Sequence, residues 1–193
     1  MLNFVLLLGL AQIRSTFYVR PRMVDYAEVM KVIARVLDLV DPARPYGTEL
    51  FNALARVTIS VAVEAVCLRR NPTNEVIEVL LFQRSPHDTA YPNQWHCPGS
   101  VMRKMESEDD VLERLSESEF GAKIVSNAFT GRHNNPHEVR GHFLSLVYLC
   151  AIEGDTKGAW FPVDQLPRDT VSHHRNSIIP IAVEYFEKSN PSA

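Results

Sequence analysis

The chain has 193 residues, 46% hydrophobic and 22% charged, with a formal net charge of −3 and a pI of about 6.2. That length fits one domain with a small appendage and can bury a real core. The balance of charge gives no electrostatic reason to expect a nucleic acid or an anionic membrane as partner, although local basic residues can still hold a small anion. Cys67, Cys97 and Cys150 lie far apart with no CxxC pair, so they read as reduced thiols of a cytoplasmic protein and not as a disulfide framework or a zinc site.

Residues 1–12 form an apolar run that includes Val5, Leu6, Leu7 and Leu8. No basic residue precedes it and no small-x-small cleavage site follows it cleanly. It is also shorter than the ~20 apolar residues that span a membrane. The expectation is an extra segment packing on the domain, or a reading frame whose true start is Met23, rather than a secretory signal. Residues 25–40 then place Val29, Met30, Ile33, Val36, Leu37 and Val40 at the spacing of an amphipathic helix. Asp41-Pro42 ends it, because the residue before proline is pushed out of the helical region. A shorter helix is predicted over residues 48–55. Both are read as packing on the main domain, so that residues 1–55 form a mostly helical extension and residues 56–188 the domain proper. The alternative is a partner-binding or dimerising role for these helices, with a homodimer as its outcome.

From Arg56 the texture changes. Val57, Ile59, Val61, Val63 and Ala65 alternate as in a half-buried strand, and residues 76–84 read as its hairpin partner after a turn at 71–75. Residues 86–93 are a predicted loop. Further strands are predicted at 122–129 and 141–152, separated by a polar loop at 131–138 that Asn134-Asn135-Pro136 marks. A short strand at 159–161 precedes a last helix within 172–188, where Pro180 is tolerated only near the first turn or at a kink. Strands interrupted by two main helices point to an α+β or α/β sandwich.

The chemistry concentrates in residues 91–121. Tyr91-Pro92-x-x-Trp95 and Pro98-Gly99-Ser100 lead into a helix that Ser107 caps, with Asp110 three positions on and Glu108, Asp109 and Asp110 at its positive end. Gly121 is the expected C-terminal stop.

This stretch resembles the box of the Nudix hydrolase superfamily, G-x5-E-x7-R-E-U-x-E-E-x-G-U, where U is aliphatic. Counted from Pro98-Gly99, the leading glycine falls on Ser100, the first glutamate on Glu106 and the arginine on Arg114. The last glutamate falls on Glu119 and the closing glycine on Gly121. Gln83-Arg84, Arg140-Gly141-His142 and the stretch from Ala159-Trp160-Phe161 to Pro167 also match, so the likeness runs over residues 57–186. The resemblance implies an α/β/α sandwich with a mixed central sheet. It also implies Mg2+ or Mn2+ as cofactor, held by carboxylates that lie at i, i+3 and i+4 on one helix face.

The departures carry as much weight. In this register the other two box carboxylates are Leu115 and Ser118, and the aliphatic position is Ser116. A register shifted by one puts Leu115 on the aliphatic position, where it packs better with Val111 and Leu112, and makes Glu117 a box carboxylate. That shift spoils Glu106 and Gly121, so the first register is preferred. Both deplete the metal site.

Under the resemblance, Glu119 is the principal metal ligand and a catalytic residue, with Glu106 and Arg114 supporting it. Arg84 and Arg140 are expected to contact phosphates, and Trp160 and Phe161 to stack on a base. Glu138 could stand in for a lost carboxylate, though its spacing does not single it out. A related isomerase family of the same fold uses a cysteine near this turn, but Cys97 lacks that family's surroundings and fits a small buried thiol. The chain then has two readings. One is a divalent-metal-dependent hydrolase of nucleoside diphosphates linked to another moiety, with an ADP-ribose-like substrate. The other is a catalytically impaired module that binds a small nucleotide-type ligand or a protein partner. Neither involves nucleic acid or a membrane.

Overall fold

The structure, a computed structural model, describes residues 25–42 and 44–189. The apolar run at 1–12 and Met23 lie outside them. The chain divides into two compact units, Met1–Asp41 and Pro42–Ala193. In the first, helix α1 (Tyr26–Leu37) is capped by Asp25, whose carboxylate accepts the Ala27 N–H at 3.0 Å. The second begins before helix α2 (Thr48–Ala55) and holds all the strands among the described residues.

Within the second unit, the alternating run after Arg56 becomes β1 (Ile59–Val66), followed by β2 (Leu68–Arg70) and β3 (Ile77–Gln83). Two short strands flank the Pro-Gly turn, β4 (Trp95–His96) and β5 (Gly99–Val101). Helix α3 (Glu108–Leu115) continues into a π-helical turn, Ser116–Phe120. The long strands β6 (Lys123–Glu138) and β7 (Gly141–Glu153) precede β8 (Ala159–Pro162). A second π turn (His174–Ile178) runs directly into α4 (Ile179–Ser189), so Pro180 lies where the two join and not at a free helix start.

One sheet has the order β5-β1-β7-β6, with β1 and β7 parallel and the other pairs antiparallel. The other is antiparallel and built on β3, which pairs with β2, β4 and β8. Side chains alternate between two cores. Leu80 and Phe82 of β3 join Val63 and Ala65 against Val111, Leu112, Leu115 and Phe120. Val79 and Leu81 join Val66 and Val147 against Ile178, Ile179 and Ala182. Helices therefore cover strands on opposite faces, in the mixed-sheet α/β fold that the resemblance implies.

Two expectations are overturned. Residues 76–84 are not the hairpin partner of the strand after Arg56: β3 pairs with β2, β4 and β8, while β1 pairs with β5 and β7, because the chain crosses to the other sheet between β1 and β2. Residues 131–138 are not a loop: β6 runs through them, paired to β7 from Gly131↔Val147 to Glu138↔Gly141. Register shifts between Phe129 and Gly131 and between Asn135 and Glu138 absorb the glycine and Pro136, since a proline cannot donate to a ladder but is accommodated at a bulge.

Candidate functional site

Ser107 caps α3 as its sequence suggests. Its hydroxyl accepts the Asp110 N–H at 3.2 Å, while Asp110 takes the Ser107 N–H at 2.7 Å. Gly121 stops the adjoining turn in the left-handed region at φ 63°. Arg114 joins the helix to the loop before it. It donates to both Glu106 oxygens and, at 2.6 Å, to the Ser100 hydroxyl, so the first box register is the one the contacts assemble here. Despite burial, Arg114 holds the Glu106 carboxyl below its ordinary range.

Leu115, the last residue of α3 and ahead of the π turn, packs wholly inside the first core with Val111 and Leu112, four and three positions before it on the same helix face. It occupies the aliphatic place that the shifted register assigned to it. Ser118 turns its hydroxyl back to the Arg114 carbonyl at 2.8 Å. Glu119 alone remains as a half-buried box carboxylate.

Beside it lies a cavity of about 440 Å3, lined by Glu64, Arg84, Tyr91 and His96, with Glu138, Arg140, His173 and His174 also in its wall. Arg84 binds Asp88 at 2.6 Å and reaches His96 Nδ1 at 3.3 Å, while its Nε is buried without a hydrogen-bond partner among the described residues. Since an arginine can only donate, His96 Nδ1 accepts and its Nε2 carries the proton. That Nε2 lies 3.8 Å from Glu119 Oε2. Burial, and then Arg84, push the imidazole down to about 3, so the contact is between a neutral ring and a carboxyl and is no ion pair. Burial pushes Glu119 up to about 7, against the opposing pull of Arg84 and Arg114.

Sequence reasoning misses Glu64. It is the one charged residue of a mostly apolar strand, which is the available signal. Its buried carboxylate accepts the Ser145 hydroxyl at 3.1 Å and lies against Gly99, where a Cβ would stand 1.9 Å from Oε2. Burial raises it to about 7, and the nearby Glu119 adds to the rise. Glu64 in the cavity wall and Glu119 behind His96, both raised toward neutrality, are the kind of group that general acid–base chemistry uses.

Arg140 is locked to buried Glu138, donating Nε to Oε1 at 3.0 Å. Glu138 also raises the Tyr91 phenol, after burial, to about 12. Trp160 and Phe161 do not line the cavity. Trp160 lies beneath the Arg69 guanidinium at 4.2 Å, and Phe161 meets Trp95 edge-on at 4.9 Å. The aromatic rings in the cavity wall belong to Tyr46, Phe51, Tyr91, Phe143 and the histidines. His173 and His174, which by sequence read only as a helix start, pack at 4.5 Å, and His174 Nδ1 accepts the Cys97 N–H at 3.2 Å. Cys97 is wholly buried, and all three cysteines are free.

The residues present do not fit the three-carboxylate metal cluster. Leu115 is in the core and Ser118 is bonded to backbone, and among the described residues no three His, Cys, Asp or Glu side chains converge to hold an ion. Among the described residues no helix is long and apolar enough to cross a membrane.

A family model for the NUDIX domain matches residues 60–180. Among solved structures the chain is similar to the MutT NUDIX hydrolase from Burkholderia pseudomallei, at 21% identity and a TM-score of 0.52, over 66% of this chain and 97% of that one. It is similar to the NUDIX domain of Shewanella oneidensis NrtR cocrystallised with ADP ribose, at 20% identity and a TM-score of 0.51, over 81% and 98% of the two chains. NrtR complexed with a 27mer DNA is a third, at 21% identity and a TM-score of 0.52, over 67% of this chain and 63% of that one. No curated protein matches the chain.

Proposed function

Because the chain belongs to the Nudix family, whose members as a group hydrolyse nucleotide derivatives, we propose that its cavity takes a nucleoside diphosphate linked to another moiety, of the ADP-ribose kind, and binds it more readily than it cleaves it. The observation that carries this reading is the pair of arginines. Arg84 and Arg140 line one cavity of a size that suits a small ligand, and Arg84 keeps an unpaired, buried Nε–H for an anion. Family members generally use divalent metal ions, which neutralise phosphate charge and activate water. Here the chain's own residues do the positioning. The arginines hold the diphosphate, Tyr91 and Glu138 orient Arg140, and Glu119 stands behind His96, 3.8 Å from its Nε2.

A metal-dependent hydrolase working with Mg2+ or Mn2+ through Glu119 is the second reading, favoured by the retained frame of Glu106, Arg114, Glu119 and Gly121. Trp160 and Phe161 have no part in either reading, since they lie away from the cavity. DNA binding by a similar protein is not extended to this chain, whose net charge is −3.

The test measures binding and phosphate release together, on ADP-ribose, dinucleoside polyphosphates, nucleotide sugars and nucleoside triphosphates. It is run with Mg2+, Mn2+ or chelator, beside Arg84→Ala and Glu119→Gln. Metal-independent binding that Arg84→Ala weakens supports the binding reading. Metal-dependent turnover that collapses in Glu119→Gln establishes the hydrolase instead. A folded chain that binds none of the panel would sink both.

A further inference from the structure

We propose that Asn52, on α2, is a specificity-determining residue of the cavity, its side-chain oxygen taking a hydrogen bond from an N–H or O–H donor on the non-phosphate part of the ligand. The inference rests on the nucleoside-diphosphate reading of the cavity. Helix α2 precedes residues 60–180, the span that the family model matches.

The helix is a fixed wall. Ala55 at its end is buried with Ala62 and Phe143, and Phe51 and Val101 pack against them. Gly141 lets the Ala55 carbonyl come so close that a Cβ there would stand 1.9 Å from it. From that anchorage Tyr46, Thr48, Phe51 and Asn52 line the cavity. Asn52 Oδ1 is buried and has no hydrogen-bond partner among the described residues.

An unpaired buried acceptor is costly and uncommon in native structures. Asn52 also stands inside a helix, where asparagine is a poor former and neither caps nor turns the chain. An apolar residue there would serve the helix better, so the amide is explained by what enters the cavity. A carbonyl oxygen repels phosphate oxygens and accepts a donor. It therefore reads the base or sugar, while Arg84 and Arg140 take the diphosphate. A terminal sugar hydroxyl and an exocyclic amino group of the base share this chemistry, and three ligands separate them.

The experiment compares the full chain with Asn52→Leu, an apolar substitution of similar size, by thermal melting and by calorimetric titration. The ligands are ADP-ribose, ADP (no terminal ribose) and the hypoxanthine counterpart of ADP-ribose (no exocyclic amino group). Asn52→Leu is expected to melt at or above the wild-type Tm, because replacing an unpaired polar group by an apolar one of its shape is neutral or stabilising. Its affinity for ADP-ribose is expected to fall about tenfold, and its affinity for whichever ligand lacks the recognised donor to hold. A lowered Tm would make Asn52 a structural residue and overturn the proposal. Unchanged affinity for every ligand that the wild type binds would also overturn it, leaving the nucleotide reading intact. If the wild type binds none of the three, that reading falls and this inference with it.

Discussion

Arg114 grips Glu106 through two parallel hydrogen bonds, Nε to Oε1 at 3.0 Å and Nη2 to Oε2 at 2.8 Å. The third arm of the fork reaches Ser100, so one planar side chain ties helix α3 to the strand and the loop that precede it. Both partners are mostly buried, which lifts the pair above an ordinary surface bridge. Arg114→Ala would leave the Glu106 carboxylate without its partner and is expected to cost about 2–3 kcal/mol in chemical denaturation. Arg114→Lys is expected to recover little of it, because an ammonium cannot make the bidentate contact. A loss below about 0.5 kcal/mol, the range of an ordinary surface change, would show that the bridge holds nothing.

The two missing box carboxylates are not equivalent. Restoration at both places is what the sequence alone suggests, but the structure separates them. Ser118 is exposed and Leu115 is wholly buried. Ser118→Glu is expected to leave the unfolding midpoint nearly unchanged and to raise turnover with Mn2+ or Mg2+. Leu115→Glu places an unpaired carboxylate in the core and is expected to cost about 3–5 kcal/mol. Equal tolerance of the two substitutions would mean that Leu115 does not pack as described.

Glu64 supplies a pH dependence whose sign is fixed. Burial raises its carboxyl from 4.5 to about 7 in the folded chain. A group raised on folding adds stability that is fully present below its unfolded value and lost as the pH climbs through the folded one. Wild-type stability is therefore expected to decline between about pH 5 and pH 8. Glu64→Gln, which cannot ionise, should flatten that limb and be the more stable protein at pH 8 by up to ~3 kcal/mol. Glu119, also raised to about 7 by burial, acts in the same direction. Asp88 acts in the opposite one. Despite its burial, Arg84 and the Tyr91 and Ala90 amides hold it below its ordinary value, so its contribution is lost only as the pH falls. Parallel pH curves for wild type and Glu64→Gln would refute the assignment.

Gly141 tests the anchorage of α2. A methyl group there would collide with the Ala55 carbonyl, a backbone atom that cannot swing aside. Gly141→Ala is expected to lower stability by roughly 2–3 kcal/mol in denaturant titrations, in the range of overpacked sites. It should also weaken binding of whatever ligand the cavity takes, because α2 forms part of its wall. Full affinity in this variant would separate α2 from the cavity.

What the sequence by itself determined is what short stretches of chain decide. The Ser107–Asp110 capping box, the Gly121 stop and the alternation that makes β1 all depend on neighbours within a few residues. Glu106 and Arg114 were legible as a pair because their spacing along the helix and its leading loop brings them together. The tertiary structure alone decided the rest. Residues 131–138 carry loop composition yet form strand, since β7 satisfies their backbone and bulges absorb the glycine and proline. Leu115 goes into the core, as the shifted register allowed, while Arg114 keeps the contacts of the first register; only the folded helix decides which residue follows which. Arg84 and Arg140, 56 positions apart by number, come to one cavity, while Trp160 and Phe161, equally plausible by composition, are turned away from it. Glu64 and Asn52 acquire their character from burial beside Ser145 and at the end of the α2 anchorage. Desolvation is a property of everything that surrounds a side chain, and the chain supplies those surroundings from distant segments only once it has folded.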